Sequence, residues 1–173
     1  QRSSRGSIVD IGGHLGSVVR DDGGRERRYR RPGTVAYMQI VAALFTDEIE
    51  LRPVPGPSTR IDLTGVHFSA PAPSAPPVTV TPHLVVIVRN EPDGAPDGVL
   101  EVTFHLLDQP DGTAEQIARN VQPVGVEPGR FAYRLVRAEL EFPDLGTVEA
   151  RCCIDRGEPV VVPYTLLAPV AEG

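Results

Sequence analysis

The residues with most chemistry to offer are four histidines, His14, His67, His83 and His105, and two adjacent cysteines, Cys152 and Cys153. His83 and His105 belong to two apolar, alternating segments separated by the turn-rich stretch Glu91-Pro92-Asp93-Gly94-Ala95-Pro96-Asp97. If these segments pair symmetrically as a hairpin, Asn90 falls opposite Gly98 and His83 opposite His105. Cross-strand partners stand about 4.5 to 5.5 Å apart at Cβ, close enough for two imidazoles to share a metal. A third ligand would have to come from Glu101, His67 or Cys153. Two ligands alone make a weak site, so the expectation is a pair of surface histidines on a polar sheet face and no cofactor. His83 and His105 remain the metal candidates.

Paired carboxylates are the next possibility. Glu139 and Glu141 share one side of a strand, as do Glu48 and Glu50, and two acids can serve glycoside hydrolysis. Alternating Glu on a half-exposed strand is more simply a solvated face that discourages edge pairing. Tyr133, Arg134 and Arg137 read first as strand-face residues. The sequence holds no phosphate-binding Gly-rich loop, no Gly-x-Gly-x-x-Gly, no Cys-x-x-Cys, no Gly-x-Ser-x-Gly and no His-Glu-x-x-His. No catalytic residue is assigned.

The elements that must position these groups are strands. The 173 residues carry 18 Pro and 17 Gly, which interrupt the chain more often than long helices tolerate, and 40% hydrophobic residues suffice for one core. Charge divides unevenly. Residues 1–37 hold eight arginines against four acids, leaving nine arginines against nineteen acids in the remainder. An acidic body repels phosphate backbones and anionic lipid, so neither nucleic acid nor a membrane is an expected partner. No apolar run approaches the roughly 20 residues of a membrane span. Neighbouring cysteines on a strand point to opposite faces and do not form an ordinary bridge, which favours a reducing, cytoplasmic setting.

Residues 1–37 lack periodicity and read as a disordered Arg/Gly-rich tail. Met38, the sole methionine, stands where composition and charge change abruptly, and is the expected native start. From there to 169 the signal is regular, with 170–173 a short C-terminal tail. Ile40 to Phe45 reads as a buried strand, and Ile49 with Leu51 as a half-exposed one. Ile61 and Leu63 change parity to Val66 and Phe68 at Gly65, where a bulge would restore a common inward face. Ser69 to Pro77 is a stiff connector able to change sheets. Leu84, Val86 and Val88 form one face of the next strand; Leu100, Val102, Phe104 and Leu106 form one face of its partner. Residues 113–121 carry both helix and strand signals, strand preferred. Phe131, Tyr133 and Leu135 change parity to Val136, Ala138, Leu140 and Phe142, as in a bent strand that serves two sheets. Asp155-Arg156-Gly157-Glu158 closes a last hairpin, with Cys152 buried and Cys153 exposed or near an edge.

About eight strands at this spacing specify an all-β, antiparallel sandwich, immunoglobulin-like in the broad sense. Met38 to Asp47, the bent strand from Tyr133 to Phe142 and the stretch from Gly146 to Arg151 are together similar to an uncharacterised family of small bacterial β-sandwich proteins. That resemblance, over 38–169, implies a sandwich without assigned activity and supplies no functional residues. The expected function is a non-enzymatic binding or assembly module. Val85 and Ile87, apolar yet outward by parity, mark the partner-binding face, and a homodimer is the simplest case. The alternative is a metal-dependent enzyme or hydrolase using the His83/His105 face.

Overall fold

The computed structural model describes residues 18–20, 26–28, 38–55, 59–107 and 113–170. The chain divides into two compact units, 1–35 and 36–173. In the first, Val18–Arg20 (β1) pairs antiparallel with Glu26–Arg28 (β2). The expectations of disorder elsewhere in 1–37 and of a tail beyond 170 lie outside the described residues.

The second unit is an antiparallel β-sandwich. Its strands are Gln39–Thr46 (β3), Glu48–Pro53 (β4), Thr59–Thr64 (β5), Ser69–Pro71 (β6), Val78–Val80 (β7) and His83–Arg89 (β8). They continue as Asp97–Leu106 (β9), Glu115–Gly125 (β10), Phe131–Arg137 (β11), Leu140–Phe142 (β12), Gly146–Ile154 (β13) and Val160–Leu167 (β14). A five-stranded sheet has the order β10-β9-β13-β14-β6 and a three-stranded sheet the order β11-β8-β3, with β12 on β7 and β4 on β5 as separate pairs. Among these ladders β6 on β14 is parallel. The ambiguous stretch 113–121 belongs to strand β10.

Alternation builds the core. Leu100, Val102, Phe104 and Leu106 of β9 meet Val148, Ala150, Cys152 and Ile154 of β13 on one inner face; Phe45, Leu84, Val86, Val88 and Val136 supply the other, in one buried cluster. The 131–142 segment serves two pairings as expected, with β11 on β8 and β12 on β7. Its break falls at Ala138-Glu139, and Phe131, Tyr133 and Leu135 face outward with Ile87 instead of inward. Val66 and Phe68 also stay about half exposed, at 46% and 49%, because β5 ends at Thr64 and Gly65 turns the chain at φ 65°.

The largest departure concerns β8 and β9, which do not form a hairpin. β8 lies between β11 and β3, and β9 between β10 and β13, so the loop joining β8 to β9 crosses from one sheet to the other. Asn90, fully buried, organises that crossing. Its Nδ2 donates to Ala95 O at 2.9 Å within the loop and to Val126 O at 2.8 Å in the β10–β11 connection, which also changes sheets. Two carbonyl acceptors fix which end of the carboxamide carries the nitrogen. Backbone bonds from Asn90 N to Arg130 O and from Val126 N to Pro96 O complete the joint. A Cβ added at Gly94 would lie 1.9 Å from Asn90 Oδ1, so glycine is required for the loop to close over the amide.

The β13–β14 hairpin turns on Asp155 and Arg156, at φ 49° and 63°, closed by Gly157 N to Ile154 O at 2.8 Å. Asp155 is also held by Val99 N donating to its Oδ1 at 2.9 Å, whereas Arg156 occupies the left-handed region without glycine's freedom.

Two outcomes are expected in urea unfolding. Asn90→Ala leaves the buried Val126 carbonyl and the partly buried Ala95 carbonyl without their donor and should lower stability by about 1 to 3 kcal/mol, with Gly94→Ala similarly harmful. Arg156→Gly relieves a left-handed residue and should raise stability by about 1 kcal/mol.

Candidate functional site

The two histidines expected to face each other lie on opposite outer surfaces of the sandwich. His83 stands opposite Thr46 and Arg137 in the three-stranded sheet; His105 stands opposite Gln116 and Glu149 in the five-stranded one. The shared His83/His105 metal face is therefore corrected, for the reason that β8 and β9 take different partners. Among the described residues no group of three or more His, Cys, Asp or Glu is arranged to hold a metal ion.

His83 instead shares a cleft with His67. The cleft, about 300 Å³, opens where β3 ends, and its lining includes Thr46, Asp47, His67, Val80, His83 and Tyr164. Four separate chain segments meet there. His67 is brought in by an isolated bridge to Phe45, its N–H donating to Phe45 O at 3.1 Å. Asp47 N reaches Thr64 O at 3.2 Å and Gly65 O at 3.3 Å, and Thr46 Oγ1 donates to Thr64 O at 2.7 Å. A Cβ on Gly65 would lie 2.0 Å from Asp47 Oδ2, so the close approach of the carboxylate to this corner also needs glycine.

Each histidine is oriented by a backbone carbonyl. His67 Nδ1 is 2.7 Å from Gly65 O, and His83 Nδ1 is 3.3 Å from Asp47 O. A carbonyl only accepts, so in the neutral rings both Nδ1 atoms carry the proton and both Nε2 atoms keep a lone pair. Asp47 Oδ1 lies 3.5 Å from His67 Nδ1. Beneath them Tyr164 is 4% exposed and packs against Phe45, His67 and Phe142 at ring separations of 5.0, 5.9 and 6.5 Å. Burial, and after it the charge of Asp47, push the Tyr164 hydroxyl up from its ordinary pKa, keeping it a donor.

The outer face of the five-stranded sheet carries the other polar candidates. Arg119 Nε donates to Glu101 at 2.7 Å, Arg151 to Glu149 at 3.1 Å, and His105 Nε2 sits 3.0 Å from Thr103 Oγ1. Burial first and then Arg151 hold the His105 imidazole below its usual range, against Glu149. These groups are neighbours along a sheet surface, and the opposite charges within each ion pair neutralise one another. Glu48, Glu50, Glu139 and Glu141 are exposed. Arg134 turns to the sandwich edge, donating to Tyr133 O at 2.9 Å and to Pro123 O at 3.4 Å on β10.

The partner-binding pair separates as well. Val85 and Ile87 share the outer face of the three-stranded sheet, but Val85 is 1% exposed, which corrects the expectation of an accessible residue there. It sits on the middle strand between Leu44 and Leu135. Ile87, half-buried between Ala42 and Tyr133, is the accessible member.

No protein-family model matches this chain, and no curated protein does. Among solved structures it is similar to a Bordetella pertussis protein provisionally named ApaA, at 17% identity over 81% of this chain and 100% of that one, with a TM-score of 0.32. A likeness of that size carries no conclusion about activity. No helix among the described residues is long and apolar enough to cross a membrane.

Cys152 and Cys153 are free thiols on opposite faces of β13, the first buried and the second half-exposed. Burial, with the neighbouring Cys153, pushes the Cys152 thiol from 9.0 up to about 12. The unfolded chain therefore releases this proton first, so the contribution is intact below pH 9 and lost as pH rises toward 12. Urea unfolding between pH 9 and 11 should show stability falling, with about 1.4 kcal/mol per pH unit of the slope removed by Cys152→Ala.

Proposed function

We propose that this chain is a non-enzymatic β-sandwich that serves as a binding or assembly module, and that a second copy docks on the outer face of the β11-β8-β3 sheet. One observation supports this reading. Two cross-strand rows, Leu44-Val85-Leu135 and Ala42-Ile87-Tyr133, set six apolar or aromatic side chains together on the side of the sheet away from the core. Phe131, 64% exposed, extends the patch along β11. Val85 in the middle is buried and the other five are half-buried, so what this face offers a partner is their remaining apolar surface together with Phe131, and removing that from water is the driving force for association. A two-fold pairing of identical faces satisfies the patch with the protein's own surface. The proposal includes a reducing, cytoplasmic setting, which the two free cysteines favour.

Sedimentation equilibrium of the full chain tests the reading. The wild type should be dimeric at micromolar concentration, and Ile87→Arg, which places a charge in the patch without touching the core, should be a folded monomer. A wild type that stays monomeric at millimolar concentration overturns it.

A further inference from the structure

We infer that the cleft between His67 and His83 binds a small organic cation, a primary amine with a short apolar body. This goes beyond the self-association proposed above and does not rest on it. The first support is the balance of hydrogen-bonding groups. In their neutral form both imidazoles spend Nδ1–H on backbone carbonyls, at 2.7 and 3.3 Å, so what each then has left for a ligand is an acceptor, Nε2. Asp47 adds a carboxylate at the rim, 72% exposed, and neither arginine nor lysine lines the cleft. A site rich in acceptors and bearing one negative charge selects a ligand with several N–H donors and a positive charge. An anion would meet the Asp47 carboxylate, and the nearby cation, Arg137 opposite His83, stands outside the lining.

The second support is size. Asp47 and His67 lie within 3.5 Å of each other, yet His83 does not join them in a set able to ligate one metal ion. Both histidines nevertheless line the same space of about 300 Å³, which matches a small organic molecule spanning the two rings. The third support is the wall. Ala70, Val80, Pro82 and the ring of Tyr164 provide apolar surface beside the acceptors, where a short alkyl chain is removed from water.

The test uses the full-length protein labelled with 15N and titrated with n-butylamine hydrochloride, n-butanol and sodium butyrate at pH 7.5, reading the imidazole nitrogens by long-range 15N–1H correlation. Butylammonium should shift Nε2 of both His67 and His83 along one saturable curve, with butanol binding about tenfold more weakly and butyrate not at all. Asp47→Asn, checked for an unchanged thermal midpoint, should weaken the amine by about tenfold and leave butanol as it was. Equal affinity for amine and alcohol, saturable binding of butyrate, or no saturable shift with the amine overturns the proposal. Zinc chloride supplies the last arm: a stoichiometric complex that moves both Nε2 signals at micromolar metal would assign the cleft to a metal ion instead and also overturn it.

Discussion

Two carbonyls, Ala95 O and Val126 O, meet one buried carboxamide, and the connectivity of the sandwich follows from that meeting. Both loops that Asn90 holds carry the chain from one sheet to the other. Backbone carbonyls buried at such a crossing need donors, and loops have no ladder to provide them. The Asn90 amide supplies two donors from one atom and so joins connections that are 36 residues apart in sequence. Gly94 is tied to the same requirement, since any side chain there would occupy the space of the carboxamide. With the crossing closed, β8 is free to pair with β11 and β3, and β9 with β10 and β13.

That topology leaves each sheet with a different outer surface. On the five-stranded sheet, Glu101 with Arg119 and Glu149 with Arg151 neutralise each other on the outer face, and exposed pairs of this kind add little stability. On the three-stranded sheet the central outer positions are aliphatic and aromatic, with His83, Arg89 and Arg137 at the strand ends, so the middle of β8 is apolar on both sides. A strand with that pattern is suited to the middle of a sheet, and the middle is where it lies. The cleft arises at a third kind of place, the end of β3, where three chain segments converge over the Tyr164 ring. Apart from the 3.5 Å approach of Asp47 to His67, its polar groups turn to the backbone: both histidines are oriented by carbonyls, and each neutral ring keeps Nε2 for something else.

Much of this was legible in residue order. Alternation in Leu100 to Leu106 and Val148 to Ile154 marks two inward faces and places Cys152 inside; the use of 131–142 in two pairings is also legible, but the parity change after Leu135 is not its cause, since Phe131, Tyr133 and Leu135 face outward and the break lies at Ala138-Glu139. The structure departs from residue order at 91–97, where a hairpin is expected and a crossing between sheets is found. That hairpin would set His83 beside His105 and Val85 on open surface, whereas the fold pairs His83 with His67 in a cleft and leaves Val85 1% exposed. A signal was present: Val85 and Ile87 make both faces of β8 apolar, which is unusual for one arm of an exposed hairpin and ordinary for a central strand.

The sequence by itself determined that the chain is all-β and which side chains share a face, because a period of two is written locally in every strand. Only the tertiary structure decided which strand lies beside which. A ladder looks the same from one strand's sequence whatever its partner, and the choice between local and distant partners depends on closing loops over buried polar backbone, here through Asn90. The candidate site belongs to the second category. Asp47, His67, His83 and Tyr164 lie far apart in the chain and share no motif or spacing, and they became a cleft when the ends of their strands were brought together.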